Sequence, residues 1–440
     1  MHALQTDFYE LTMAAGYFAA QRQHDVATFE LSVRRLPEQR NFLIAAGLAQ
    51  AVEYLQNLRF QTDEIDYLRA LPQFRLAPAG FFDYLRDFRF TGDLFAIPEG
   101  TPFFPNEPVA TIRAPLIEAQ LVETYLLSTF AFQSSIATKA ARCTLAAEGR
   151  AIVEFGSRRA HGPEAGVLAA RAAYIGGCIG TSNTEAGKLF GVPLFGTAAH
   201  SWTMAFGDER EAFQCLQKLL GENTVFLLDT YDTHNAARLA TELGGPIWGV
   251  RLDSGDLVQL SREVRSILDA GGLSSAKIFA SNDLDEYRLA EIVGAKAPID
   301  AFGVGTALAT SFDAPSLSAV YKLVELKRED RVLYTAKFSG EKSTLPGAKQ
   351  IYRFEDRDLL ALQTECSSDF GSSPLVRPVL IAGQLVEALP PIEQSRARAL
   401  EKVAQLPKNL LALDRRAEHP VDISAKLRDL TENLRAQHQL

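Results

Sequence analysis

The stretch TVFLLDTYDTHNAARLATELGGPIWGVRLDSGD, residues 224–256, contains the unit on which the middle of this chain is built. A short β-rich run (TVFLLD, 224–229) is followed by a helical pattern (233–243) and then by a second β-rich run (IWGVRLD, 247–253). Strand, helix and strand in that order imply a βα unit and parallel pairing. The same rhythm extends outward, upstream as AIVEF (151–155) and VPLFG (192–196), downstream as KIFAS (277–281) and DAFGVG (300–305). Helical patterns fill the intervals at 164–175, 208–220, 256–270 and 284–294. Six such runs predict an α/β fold, and both a barrel and an open doubly wound sheet satisfy them.

The flanks differ. Residues 1–115 read as mixed α and β: helical spacing over 6–20, a half-buried strand over 26–33 (VATFELSV), and a helical stretch over 42–58. Pro98, Pro102, Pro105 and Pro108 confine the next run to edge strand and turn. After Tyr321, YKLVEL, RVLYTAKF and QIYRF are strand-like again and suit a return to the first domain, while CSSDFGSSP (366–374) reads as a linker. The expected division is therefore 1–115 plus about 324–380, then 116–323, then a polar helical tail over 381–440.

At 440 residues the chain exceeds one ordinary core. Its net charge of -9 argues against nucleic acid or an anionic membrane as the main partner. Cys143, Cys178, Cys215 and Cys366 form no CxxC and suit a reducing cytoplasm. No apolar run approaches the ~20 residues that span a bilayer, and the N-terminus lacks a signal-peptide pattern. A cytoplasmic protein is expected.

The informative feature is where the polar residues fall. Each middle run leads into small or reactive side chains: Gly156-Ser157-Arg158-Arg159, then Thr197 and His200, Asp229-Thr230-Tyr231-Asp232, Arg251-Leu252-Asp253-Ser254-Gly255-Asp256, Ser281-Asn282-Asp283, and Gly303-Val304-Gly305-Thr306. In a parallel α/β fold these ends share one face, where active sites are built. At any single position an Asp or Ser is equally well a helix N-cap. As a set they point to an anionic ligand. Gly303 to Thr306 suit close backbone approach to a phosphate. Asp229, Asp232, Asp253 and Asp256 suit ribose hydroxyls or a polyphosphate-borne Mg²⁺. Arg158, Arg159 and Arg251 suit phosphate or carboxylate oxygens. Histidine presence alone does not separate His200 from His161 and His234.

Several strings together resemble the nicotinate phosphoribosyltransferase family, in its order and spacing: TDFYELTM (6–13), EFGSRRAHGPEAG (154–166), GTSNTEAG (180–187), VPLFGTAAHSW (192–202), LLDTYDT (227–233), VRLDSGDL (250–257), ASNDL (280–284) and DAFGVGT (300–306). The resemblance runs from about Asp7 to Gly305, and more weakly through the tail. It implies a type II phosphoribosyltransferase: an irregular α/β barrel packed on a mixed α/β open-faced sandwich domain, working as a dimer with shared active sites. It also implies nicotinate, phosphoribosyl pyrophosphate and ATP as substrates, with Mg²⁺ carried mainly by the pyrophosphate.

By the same resemblance His200 is the histidine that ATP phosphorylates. Phe155 would stack on one face of the pyridine ring, and Tyr9 of the other subunit on the opposite face. Arg158 would face the nicotinate carboxylate or the ribose phosphate. Arg251 and Asp253 would bind substrate, Asp253 at the ribose hydroxyls, with Asp229 nearby. Asn282, Asp283, Gly303, Gly305 and Thr306 would hold the 5′-phosphate. Nicotinamide-using relatives carry an Asp near the ring substituent, whereas Gly180-Thr181-Ser182-Asn183 holds no carboxylate. Ser182 or Asn183 can donate to a carboxylate, which favours the acid; alternatively Asn183 only caps a helix. The rival readings are a nicotinamide phosphoribosyltransferase, an unrelated sugar-phosphate barrel enzyme, and a catalytically inactive nucleotide-binding relative.

Overall fold

Five of the β-rich runs form strands at the expected places: Ala151–Glu154, Val225–Leu227, Gly249–Leu252, Lys277–Ala280 and Ala301–Val304. The sixth strand is Gly180–Thr181, which carries no β-rich pattern, whereas 192–196 contributes a single parallel bridge from Leu194 to Thr181. Gly180 permits that pairing, because a β-carbon there would lie 2.3 Å from the Pro193 carbonyl oxygen. The six strands form one parallel sheet in the order 180–181, 151–154, 301–304, 277–280, 249–252, 225–227.

The structure is a computed structural model and describes residues 3–338, 343–365, 367–414 and 417–438. The α/β chain divides into two units, 135–315 with 392–404, and 1–134 with 316–391 and 405–440. The breaks fall at 134/135 and 315/316 instead of 115/116 and 323/324.

In the first of these units the parallel sheet is apolar on both faces. Val153, Phe279 and Ala301 cluster on one side with Phe155, and Ile152, Val250, Leu252, Ile278 and Phe302 are buried between them in sequence. That two-sided burial is why the strands read as continuous apolar runs. Five of its helices start sharply because a side chain caps them. Asn183, Asp208, Asp232, Asp256 and Asp285 accept first-turn N–H groups of 184–190, 209–220, 233–243, 257–270 and 286–294. Residues 381–440 do not make a separate helical tail. Helix Ile392–Ala404 packs in this unit, where Arg396 donates to the carbonyls of Cys178 (2.9 Å) and Gly177 (3.0 Å).

The other unit is built on a seven-stranded antiparallel sheet. Its order is Arg331–Tyr334, Ala319–Arg328, Val26–Val33, Ala110–Pro115, Asp93–Ala96, Arg377–Ile381, Gln384–Leu385. Helix Phe8–Ala19 and its neighbours join a core rich in phenylalanine, including Phe60, Phe74, Phe81, Phe82 and Phe88. The helix expected over 42–58 begins only at Leu48, after strand Leu43–Ile44. Gly47 breaks it with a φ of 108°, and the Glu99 carboxylate accepts the N–H groups of Gly47 and Leu48 at 2.7 and 3.1 Å.

A second, three-stranded sheet joins Lys349–Arg353 and Asp358–Leu362 to Val421–Ile423 from the chain's end. Beside it Arg353 pairs with buried Asp358 at 2.6 Å and faces Glu107 at 3.6 Å, while His419 lies 3.4 Å from Asp358 and stacks on Phe104. Burial, together with the Asp358 charge, pushes the Glu107 carboxyl well above the carboxylate range. Burial would push Asp358 up as well, but hydrogen bonds from His419 and Arg353 hold it well below that range. Among the described residues no helix is long and apolar enough to cross a membrane. Cys143, Cys178 and Cys215 are free thiols, and Cys366 lies outside the described residues.

Candidate active site

The C-terminal ends of the parallel strands open onto a pocket of about 360 Å³. Phe155, Ser157, Arg158, Ser182, Thr197, His200, Arg251 and Asp253 are among the residues lining it. Six of the residues expected at the site therefore meet in one cavity: Phe155, Arg158, Ser182, His200, Arg251 and Asp253.

Arg251 is its most constrained group. Lying on strand Gly249–Leu252, it donates from Nε to Ser281 Oγ (2.8 Å), from Nη1 to Thr197 Oγ1 (2.8 Å) and from Nη2 to Asp253 Oδ1 (2.7 Å). Its guanidinium carbon also lies 5.6 Å from the centroid of the Phe155 ring. Three directed bonds from one planar group fix its orientation as a lysine could not. Ser281 also donates to Asp253 Oδ1. Arg158 contrasts with it, being exposed and making no side-chain hydrogen bond or ion pair among the described residues.

Asp229 does not line the pocket, yet it organises one wall. Its side chain is 4% exposed, and Oδ1 lies 3.3 Å from His200 Nε2. Oδ2 accepts the Ser254 hydroxyl and the Asp253 N–H, the latter at 3.2 Å. A carboxylate at Nε2 favours the tautomer protonated there, which leaves the Nδ1 lone pair available. His234 points elsewhere and pairs with Glu263 at 2.7 Å. Asp232 and Asp256 cap helices, so the N-cap reading holds for both.

Around the opposite wall, Glu154 is fully buried and accepts the Gly156 N–H and the Thr181 hydroxyl. Burial raises its pKa. Thr181 Oγ1 accepts the Asn183 N–H at 2.9 Å, and Asn183 Nδ2 donates to Ser157 at 3.0 Å. The Asn183 side-chain oxygen caps helix Thr184–Phe190. Both ends of that amide are committed, which leaves Ser182 as the pocket-facing member of the pair.

The residues expected at the phosphate fall differently. Asn282 and Asp283 are exposed beyond strand Lys277–Ala280, and both have positive φ, 104° and 41°. Gly305 and Thr306 follow strand Ala301–Val304. Gly303 lies inside that strand, where its missing side chain admits the Phe155 ring, so packing accounts for it. Tyr9 belongs to the other unit, on helix Phe8–Ala19, and is 45% exposed. Burial and the nearby Glu123 and Glu10 carboxylates raise its pKa. Sequence reasoning placed Thr197 and Ser281 among the converging polar residues but gave them no role, and it missed Glu154, whose signal was its place at the end of strand Ala151–Glu154.

Comparison with known proteins fits this geometry. Three family models match in succession: the nicotinate phosphoribosyltransferase N-terminal domain over residues 4–131, the nicotinate phosphoribosyltransferase family over 150–344, and its C-terminal domain over 363–431. A nicotinate phosphoribosyltransferase of Mycobacterium tuberculosis is 43% identical, covering 97% of this chain and 92% of its own. That of Bacillus subtilis is 40% identical, covering 86% and 79%. The crystal structure of human nicotinic acid phosphoribosyltransferase superposes with a TM-score of 0.83 at 30% identity, covering 98% of this chain and 99% of that one. Matched in sequence over nearly its full length, this chain belongs to the nicotinate phosphoribosyltransferase family.

Proposed function

We propose that the chain condenses nicotinate with phosphoribosyl pyrophosphate to give nicotinate mononucleotide and pyrophosphate, a step of NAD biosynthesis, with ATP hydrolysis coupled through a phosphohistidine at His200. The observation that carries this reading is the convergence of Phe155, Ser182, His200, Arg251 and Asp253 on one pocket. Phe155, held by Gly303 and Arg251, offers a flat face to a pyridine ring. Ser182 donates to the ring carboxylate, and Arg158, unpaired among the described residues, supplies positive charge for the carboxylate or a phosphate.

Displacement of pyrophosphate at the anomeric carbon builds positive charge on the ribose. Asp253, anchored by Arg251 and Ser281, is a fixed carboxylate suited to the ribose hydroxyls and that charge. The nicotinate ring nitrogen is already nucleophilic, so positioning does most of the catalysis. Mg²⁺ enters with the polyphosphate substrate. With Asp229 at Nε2, Nδ1 is the nitrogen of His200 left to take the phosphoryl group.

The finer architecture follows the family. In that reading the six parallel strands belong to an irregular barrel, and their linear order with the Leu194 bridge is compatible with it. The other unit is its open-faced sandwich. Two copies pair so that Tyr9 of one stacks on the ring bound by the other, and the enzyme works in the cytoplasm.

Product analysis tests the proposal: purified protein with phosphoribosyl pyrophosphate and Mg²⁺, given nicotinate or nicotinamide, with and without ATP. Nicotinate mononucleotide is expected, and more of it with ATP. Preference for nicotinamide overturns the substrate assignment. His200→Ala is expected to abolish the ATP stimulation and retain some ATP-independent synthesis; intact stimulation refutes the phosphohistidine.

A further inference from the structure

Helix Glu123–Ala146 carries a buried cation that the reaction above does not use. Lys139, with its side chain 2% exposed, sits 2.5 Å from Glu286 Oε2 and donates to Asp313 Oδ1 at 2.7 Å. One turn along the helix, Arg142 donates to the same Glu286 at 2.8 Å and to the Tyr287 hydroxyl at 3.0 Å. Burial would push Glu286 up, but Lys139 and Arg142 hold it below the carboxylate range, so the cluster is ionic.

The two carboxylates belong to consecutive βα connections. Glu286 opens the helix after the loop that follows strand Lys277–Ala280, and Asp313 ends the turn after the short helix Thr306–Ala309 that follows strand Ala301–Val304. These loops carry Asn282, Asp283, Gly305 and Thr306. Each also contains non-glycine residues at positive φ: Asn282 (104°) and Asp283 (41°) in one, Ser311 (45°) in the other. Such backbone persists only where its surroundings over-determine it. A buried ammonium with an arm to each loop supplies that constraint.

We infer that Lys139 is a positioning residue: by bridging Glu286 and Asp313 it sets the spacing of the two strand-end loops that grip the ribose phosphate. The inference rests on the reading of those loops as the 5′-phosphate site. Lys139 itself touches no substrate, and its role differs from general stability in acting on one ligand.

Ribose 5-phosphate is the direct probe, titrated into the full-length protein alongside the KM for nicotinate and the melting temperature. Lys139→Met and Asp313→Asn are expected to weaken ribose 5-phosphate binding by about tenfold, as displacement of a positioned group does. The KM for nicotinate is expected to stay within about twofold in both, and Lys139→Arg to recover most of the affinity. Asp313→Asn decides the matter if Lys139→Met does not fold, since that side chain is 17% exposed and keeps its size. The double variant Asn282→Gly, Thr306→Val tests the loop reading. Wild-type affinity in that double variant overturns the loop reading and the clamp with it. Weakened affinity there, with wild-type affinity in both clamp variants, overturns the clamp alone, whatever their melting temperatures.

Discussion

A β-carbon on Gly303 would stand 2.8 Å from the Phe155 ring, closer than real side chains approach one another. The ring has little room to retreat, because Phe279 packs against it with centroids 5.4 Å apart and Arg251 covers its face. Gly303→Ala is therefore expected to tilt Phe155 and raise the KM for nicotinate about tenfold, with a stability loss of about 1–3 kcal/mol from overpacking. Steady-state kinetics with both substrates varied checks it; an unchanged nicotinate KM means the ring is not a stacking platform.

Asp229→Asn removes the anion beside His200 and replaces an acceptor of Ser254 with an amide. ATP-dependent turnover is expected to fall about 100-fold, within the usual range for general acid–base partners. Synthesis without ATP is expected to change far less. Incorporation of labelled γ-phosphate from ATP into the protein is the direct measurement, and wild-type labelling would remove Asp229 from the role assigned to it.

Arg251→Lys keeps the charge and loses the fork. One ammonium cannot serve Ser281, Thr197 and Asp253 in the geometry the guanidinium occupies. A fall in kcat/KM of about 100-fold or more is expected, and Thr197→Val, which deletes a single charged hydrogen bond, is expected to cost about 1.5–3 kcal/mol of the same quantity. Equal activity of Arg251→Lys and wild type would contradict the positioning argument.

The buried pair Glu107–Asp358 carries a pH prediction. Glu107 has a raised pKa in the folded chain, so folding takes up a proton there above the unfolded carboxylate range. Its contribution is largest below the unfolded pKa and declines as pH rises towards the raised folded value. Asp358, held low, contributes above its unfolded pKa and loses that contribution only in strong acid. Between these limits unfolding free energy is expected to fall with rising pH by up to about 1.4 kcal/mol per unit from this one proton. Glu107→Gln, which keeps a donor facing Asp358, is expected to flatten that slope. Denaturant titrations across the neutral range measure it, and identical slopes would show that Glu107 is not the group concerned.

Much of this site is legible in the sequence. Strands buried on both faces leave unbroken apolar runs, and the residue after each run had to lie on one rim, so Phe155, His200, Arg251 and Asp253 converge as the pattern predicts. The pattern was silent where short-range chemistry gave no period. Gly180–Thr181 pairs with Val153 and Glu154 over two residues, too few for a β-rich pattern, and Gly180 lets the Pro193 carbonyl approach on its other side. Helix Glu123–Ala146, rich in Ala, Ser and Thr and buried along much of its length, has no polar face to betray it, and Lys139 was hidden with it. Asp232 and Asp256 looked like ligands because a capping carboxylate and a binding carboxylate follow a strand equally well. Glu154 was passed over because Thr181 meets it only across a strand pair, and the N–H of Gly156 leaves no mark in the sequence.

The sheet joining Asp358–Leu362 to Val421–Ile423 has a consequence for biosynthesis. The unit that holds residues 3–134 receives a strand and His419 from residues 419–423, so on the ribosome it waits until all of the other unit has been made. Until then the Asp358 carboxylate lacks its imidazole neighbour and the strand beside it has a bare edge. A product cut short before Val421 would leave its own beginning unfinished, and quality control would meet it as an open chain.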